Sequence, residues 1–196
     1  MCNLYTQTKA PEAIRTLFER LQMPLTFPGG IPNLEPRDIA ITDPAPIVRA
    51  TNQDDYELLV RRWSWPGPGG KPVYNFRSDG REFPSGRVLI LADGFYEFTA
   101  PKDPRQKRKD RWLFTSSEDD VMGIAGLVRA VPGIGEAFTM LTCEPGPDVA
   151  PYHSRQVALL PSSAWRAWLD HSSPASELLS RAPAGALAVR PAPRAD

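Results

Sequence analysis

Arg87-Val88-Leu89-Ile90-Leu91-Ala92-Asp93-Gly94-Phe95-Tyr96-Glu97-Phe98 is the stretch on which the fold turns. An aliphatic run stops at Asp93-Gly94 and an aromatic run follows, so Arg87 to Ala92 and Gly94 to Phe98 both read as strands parted by turn residues. Working outward, Trp112 to Ser116, Val121 to Val131, Ala137 to Cys143 and Gln156 to Leu160 repeat the pattern at hairpin-like distances. Together they predict an antiparallel sheet system that curls or packs on itself. The 22 prolines and 14 glycines favour the same picture of short strands and many turns. The expected class is α+β, mainly β, with curled antiparallel sheets forming an open barrel-like core and a few flanking short helices.

The helices are brief. Pro11 to Leu21 places Ile14, Leu17, Phe18 and Leu21 at helical spacing, which predicts one amphipathic surface helix. Ser162 reads as the N-cap of a helix carrying Trp165, Trp168 and Leu169, and Pro174 opens another. From Pro24 to Pro46 the chain reads as ordered loop, with short strands expected at Ile39 to Ile41 and just beyond it at Ile47 to Arg49. The Ala/Pro/Arg-rich end predicts a last strand at Leu187 to Val189 and a loose tail from about residue 190. At 196 residues without an internal repeat, the expectation is one domain over 1–196.

Composition narrows the function. Lys plus Arg and Asp plus Glu are equal at 23 each, so any affinity for nucleic acid must come from a local patch. No apolar run is long enough to span a bilayer and no signal peptide opens the chain, which predicts a cytoplasmic protein without a membrane partner. Cys2 and Cys143 are the only cysteines, too few for a disulfide framework. A zinc set drawn from Cys2, Cys143, His153 and His171 lacks any metal-ligand spacing, so neither a metal nor another cofactor is expected.

Several residues carry potential chemistry. Cysteine after the initiator methionine allows Met1 to be removed, leaving a 1,2-aminothiol with two adjacent nucleophiles. Its α-amine, with an ordinary pKa near 8, is roughly a tenth to a sixth neutral at pH 7. Such a terminus can form a Schiff base with an aldehyde and close it to a five-membered thiazolidine. Glu97 lies in an aromatic run, where it is either buried with a raised pKa suited to proton transfer or an outward residue of the alternation. Asn75 and Arg77 share a face if their segment is extended: the amide suits an oxyanion or hemiaminal, the guanidinium a phosphate. His153 ends a loop before an apolar strand and titrates near neutrality, or is a hydrogen-bonded structural histidine. His171 reads as a helix C-terminal cation. Lys102 to Arg111 is a strongly basic hairpin loop, solvated or touching phosphates. Trp63 and Trp65 suit stacking on unpaired bases or a place in the core.

Taken in order, Met1-Cys2, Asn75-x-Arg77-Ser78, Gly94-Phe95-Tyr96-Glu97, Ala125-Gly126-Leu127, Thr142 and His153-x-Arg155 resemble the SOS response-associated peptidase family, also called abasic site processing proteins. The similarity runs from Cys2 to about Leu169. It implies a mainly β domain whose positively charged groove binds single-stranded DNA beside the matured N-terminus. It further implies self-removal of Met1, a thiazolidine crosslink to the ring-opened abasic sugar, and possible lyase activity. Carried over by residue, Cys2 is the double nucleophile, Asn75 positions the N-terminus, Glu97 moves protons and His153 protonates the sugar oxygen. Arg77, Trp63, Trp65, Thr142 and Arg155 fall at positions expected to contact DNA or support the site. Asn3-Leu4, Asp79 and Ser154 depart from the family pattern.

The function expected from this resemblance is a monomeric sensor of abasic sites in single-stranded DNA, nucleoid-associated when bound, that shields the lesion by covalent capture. Two other readings stay open: an N-terminal-nucleophile cysteine hydrolase, and a non-covalent single-strand binding module.

Overall fold

The computed structural model describes residues 2–52, 55–103 and 105–193. Its longer elements are β1 (Leu4–Gln7), α1 (Pro11–Arg20), β2 (Arg37–Ala40), β3 (Pro44–Asn52), β4 (Asp55–Trp63), β5 (Asn75–Arg77) and β6 (Arg87–Ala92). Then follow β7 (Gly94–Thr99), β8 (Asp110–Ser116), β9 (Met122–Val131), β10 (Gly135–Cys143), α2 (Trp165–Leu169), α3 (Ala175–Leu178) and β11 (Leu187–Pro191). Strand makes up 43% of the chain against 13% helix, so the mainly β expectation holds.

Strands β10, β9, β6, β3 and β4 are antiparallel neighbours in that order. The ring closes where β4 runs parallel to β10, pairing Arg62 with Ala137 and Trp63 with Phe138. The curled sheet expected from the sequence is therefore a closed five-stranded barrel. β5 continues the parallel attachment along β10, with Asn75 opposite Met140 and Arg77 opposite Thr142. A second antiparallel sheet has the order β11, β8, β7, β1, β2.

The two runs that open the sequence reading do not pair with each other. β6 belongs to the barrel and β7 to the second sheet, and Asp93 makes the corner between them. Its backbone N–H donates to the Thr6 carbonyl at 2.9 Å, and its carboxylate accepts from the Thr8 backbone N–H. All of β6 is buried because successive side chains enter opposite cores. Val88, Ile90 and Ala92 pack with Tyr5, Ile39, Phe95 and Phe114 of the second sheet. Leu89 and Leu91 pack with Ile14, Phe18, Trp165 and Trp168 from the helices.

Other boundaries differ from expectation for local reasons. β4 breaks the apolar pattern with Glu57, Arg61 and Arg62, yet it is a full barrel strand. Arg49 pairs with Glu57 directly across from it, and Glu136 bridges Arg49 and Arg61 at 2.7 Å each. Ser162 is not an N-cap: it begins a 3-10 turn, Ser162–Ala164, with no side-chain capping bond. Residues 190 and 191, expected to be loose, pair with Leu113 and Trp112, while the end of the tail lies outside the described residues.

Gly123 gives a direct test of the packing between barrel and helix. A Cβ there would fall inside van der Waals contact with the Trp165 indole and the Leu89 side chain. The indole cannot retreat without losing its 3.0 Å hydrogen bond to the Leu160 carbonyl. Gly123→Ala should destabilise the protein by about 1–3 kcal/mol in urea denaturation with the m-value unchanged.

Candidate active site

Three backbone decisions bring the candidate residues together. β1 is paired between β7 and β2, so the residues preceding Leu4 are carried against the same core as Phe95. The period-2 alternation of β7 turns Phe95 and Glu97 inward, while Tyr96 packs with Leu4, Leu113 and Phe98 on the opposite face. β5 then lays Asn75 alongside the terminus.

Cys2 is 1% exposed. The Asn75 Nδ2 donates to its carbonyl at 2.7 Å. The Glu97 carboxylate, also 1% exposed, accepts from its backbone N–H. Cys2, Asn75 and Glu97 thus meet on a single residue's peptide groups. The outward alternative for Glu97 is excluded by its burial.

Burial dominates the electrostatics of this group. It pushes the Glu97 carboxyl from 4.5 up to about 7, where proton exchange is balanced near neutrality. It pushes the Cys2 thiol up to about 12, with the negative charge of Glu97 adding to the effect. The side chain is therefore held as a thiol, which donates to the Leu4 carbonyl at 3.2 Å.

His153 stands on a tightly wound loop. Its backbone N–H and that of Tyr152 both donate to the carbonyl of Val149, a fully buried residue. The Tyr152 ring packs on Trp112, centroids 4.9 Å apart, and Trp112 is the register partner of Glu97. The His153 Nδ1 lies 2.9 Å from the Arg155 backbone nitrogen and 3.1 Å from the Arg155 carbonyl oxygen. A neutral ring accepts from the N–H and an imidazolium donates to the carbonyl, so both states keep a partner at Nδ1. A neutral ring protonated at Nδ1 can likewise donate to that carbonyl, so Nδ1 is partnered in either tautomer. Burial, with Lys109 nearby, holds the imidazole below its usual pKa.

The expected DNA contacts divide sharply. Arg77 is exposed, two residues along the strand from Asn75. Trp63 is instead fully buried: its indole donates to the Tyr74 carbonyl at 3.0 Å and meets Tyr5 edge-on. Trp65 is also buried, with the Arg129 guanidinium 4.2 Å from its ring centroid. Neither ring offers a face for a base, and Trp63 serves to anchor the residue before Asn75. Thr142 is 1% exposed, and its hydroxyl donates to the Phe76 carbonyl. Arg155 is committed to Thr142 and to Asp79. Asp79, read from the sequence only as a departure from the family pattern, is the partner of Arg155. It stands 76 residues from Arg155, and no local pattern joins them.

Lys102, Lys107, Arg108, Lys109 and Arg111, with Asp110 and Trp112 among them, line a groove of about 620 Å³. His171 lies elsewhere, in a cleft with Arg49 and Arg87. Among the described residues no group of three His, Cys, Asp or Glu side chains is placed to hold a metal ion, and no helix is long and apolar enough to cross a membrane.

The model of the SOS response associated peptidase family matches residues 1–195. The chain belongs to that family. Solved structures share the fold of this family member. A protein from Bordetella bronchiseptica is 23% identical with a TM-score of 0.75, the match covering 98% of this chain and 100% of that one. One from Bacteroides thetaiotaomicron is 15% identical with a TM-score of 0.73, covering 97% and 91%. A phage-related protein from Bordetella bronchiseptica is 21% identical with a TM-score of 0.73, covering 98% and 95%. No curated protein is similar enough to this family member to count as a match.

The raised carboxyl gives a pH signature. Below pH 4.5 Glu97 is protonated in folded and unfolded chains alike, and its contribution to stability is fully present. As the pH rises from 4.5 to about 7, the unfolded chain ionises first and stability is lost. The slope should approach about 1.4 kcal/mol per pH unit and vanish above the folded value. Urea melts of chain with an intact Met1–Cys2 bond should show this limb, and Glu97→Gln should lack it.

Proposed function

We propose that this chain captures abasic sites in single-stranded DNA covalently, through a thiazolidine formed by Cys2 once Met1 has left. The observation that carries the reading is the meeting of Asn75 and Glu97 on the two peptide groups of Cys2. Met1, whose removal the reaction requires, lies outside the described residues. Its hydrolysis adds one water across the Met1–Cys2 peptide: hydroxyl to the Met1 carbonyl carbon, proton to the Cys2 nitrogen. Glu97, at that nitrogen and balanced near neutrality, is the group to deliver the proton.

Capture then proceeds in two bond-forming steps. The neutral α-amine attacks the aldehyde carbon of the ring-opened sugar, and the carbinolamine loses water to give an imine. The thiol sulfur adds to the imine carbon, and its proton passes by way of Glu97 to the ring nitrogen. Amine, thiol and aldehyde thereby give one thiazolidine and one water, with no oxidant or metal required. His153, as the imidazolium, gives a proton to the sugar ring oxygen as the hemiacetal opens, and the proton released by the anomeric hydroxyl restores the imidazolium. Asn75 keeps the Cys2 carbonyl fixed, so that amine and aldehyde react as an intramolecular pair. A lesion in a single strand needs no base pair broken. Arg77 and the basic groove supply the local positive field that the balanced net charge leaves undefined.

An N-terminal-nucleophile hydrolase would instead have the Cys2 sulfur attack an amide as thiolate, and turnover of a peptide or amide without DNA would mark it. Protein with a verified free N-terminal Cys2, mixed with an oligonucleotide carrying one abasic site, should give an adduct stable to denaturation. Cys2→Ala and Cys2→Ser, which keep the α-amine but lack the thiol, should lose the denaturation-stable adduct and leave only an imine trapped by borohydride. Glu97→Gln should slow it about 100-fold or more, as expected for loss of a positioned acid-base group. Absence of adduct from the free-Cys2 wild type would sink the proposal, and Cys2→Ala binding the same DNA as tightly without any adduct forming in the wild type would mark a non-covalent binding module.

A further inference from the structure

In the basic loop between β7 and β8, acids and cations are used differently. The Asp110 carboxylate accepts from the Lys102 backbone N–H at 3.3 Å and from the Gln106 amide at 2.8 Å, and Asp103 accepts from the Arg105 backbone N–H at 2.9 Å. The acids are thereby spent on shaping the loop itself. Lys102, Lys107, Arg108 and Lys109 form no salt bridge among the described residues. Arg49, Arg61, Arg87 and Arg155, by contrast, each face a carboxylate.

The groove that these cations line is walled by Trp112, Pro191 and Pro193. Arg111 fixes the wall: its Nε donates to the Ala192 carbonyl at 2.6 Å, and its own carbonyl accepts from the Ala192 N–H at 2.8 Å. Trp112 joins the groove to the candidate site, since its ring packs on Tyr152, the residue before His153, and its register partner is Glu97. Groups that could read a base are already bound. The Trp112 indole donates to Thr99 Oγ1 at 2.9 Å, and the Gln106 amide donates to the Arg108 carbonyl as well as to Asp110. What remains is a row of exposed point charges, which suits phosphates.

We propose that this groove seats consecutive phosphates of the strand that carries the lesion, with Lys109 holding the one closest to His153. The proposal rests on the capture reading for the identity of the strand. Contacts of this kind position a strand without regard to its base sequence. They also bear on the imidazole: burial, the amino-terminal charge and Lys109 act against the imidazolium, and the Arg155 carbonyl acts for it. A phosphate at Lys109 offsets the ammonium charge there and favours the imidazolium that ring opening uses.

Binding of a single strand carrying a tetrahydrofuran analogue, which has no aldehyde, tests the groove apart from the reaction. The triple variant Lys107→Gln, Arg108→Gln, Lys109→Gln alters only exposed side chains, and an unchanged melting temperature checks the fold. Its slope of log Kd against log salt should be shallower than wild type by about 2, roughly 0.7 for each lost phosphate contact, whatever the flanking bases. Its affinity at low salt should fall at least about tenfold. Wild-type slope and affinity in the triple variant, or a change confined to one flanking sequence, overturns the proposal. So does wild-type protein that binds polyglutamate of equal charge as tightly as the strand, which would mark a surface for acidic proteins.

The place of Lys109 is also readable with no DNA present. The chain has two histidines, and His171→Gln assigns the NMR resonances of His153. Lys109→Gln removes a cation acting on the imidazole, so the His153 pKa should rise in an NMR titration of the free protein. Saturating analogue should raise it in the wild type by more than in Lys109→Gln. A His153 pKa that Lys109→Gln leaves unmoved overturns the proposal. A shallower salt slope in the triple variant, with no crosslink from the wild type, upholds the groove and removes only the capture reading.

Discussion

Cys2 is gripped through its own peptide groups, the carbonyl by Asn75 and the N–H by Glu97. A residue next to a chain end is ordinarily among the least ordered in a domain. Here the end is carried into the core because β1 is an interior strand of its sheet, with Tyr5 opposite Phe95 on one side and Ile39 on the other. The register fixes which side chain of β7 faces the terminus, and a one-residue slip would present Tyr96 in place of Glu97. Barrel closure, sheet order and the anchoring of Tyr74 by Trp63 all serve that placement.

Burying a carboxyl and a thiol together is unfavourable for their charged forms, and the site uses that. Low local polarity keeps the thiol protonated and brings Glu97 to the midpoint between acid and base. The remaining charges are sorted by region. Arg49, Glu57, Arg61 and Glu136 neutralise one another along the barrel, and Arg155 and Asp79 do so beside the site. The basic groove near Trp112 is where positive charge accumulates, so a balanced total coexists with a local field.

Much of this was legible in the residues. Arg87 to Ala92, Ala137 to Cys143 and the helix at Ile14 and Phe18 follow from hydrophobic pattern alone, because each is decided by neighbours two to four positions away. β4 was missed because its charged residues break that pattern. Their partners, Arg49 and Glu136, are supplied from neighbouring strands. Trp63 and Trp65 were ambiguous between stacking platform and core for the same reason: an aromatic ring's sequence neighbours do not reveal what covers its faces.

By itself the sequence determined the residue types that chemistry needs, a cysteine after methionine, one glutamate among aromatics, one histidine at a loop end, and a mainly β chain to carry them. Only the tertiary structure decided that Asn75 and Glu97 meet at Cys2, that the barrel closes through the parallel pairing of Trp63 with Phe138, and that Arg155 turns inward to Asp79. These are pairings between residues 73 to 95 positions apart, set by register and sheet order. Local pattern specifies which face of an element is apolar, but not which distant element that face will meet.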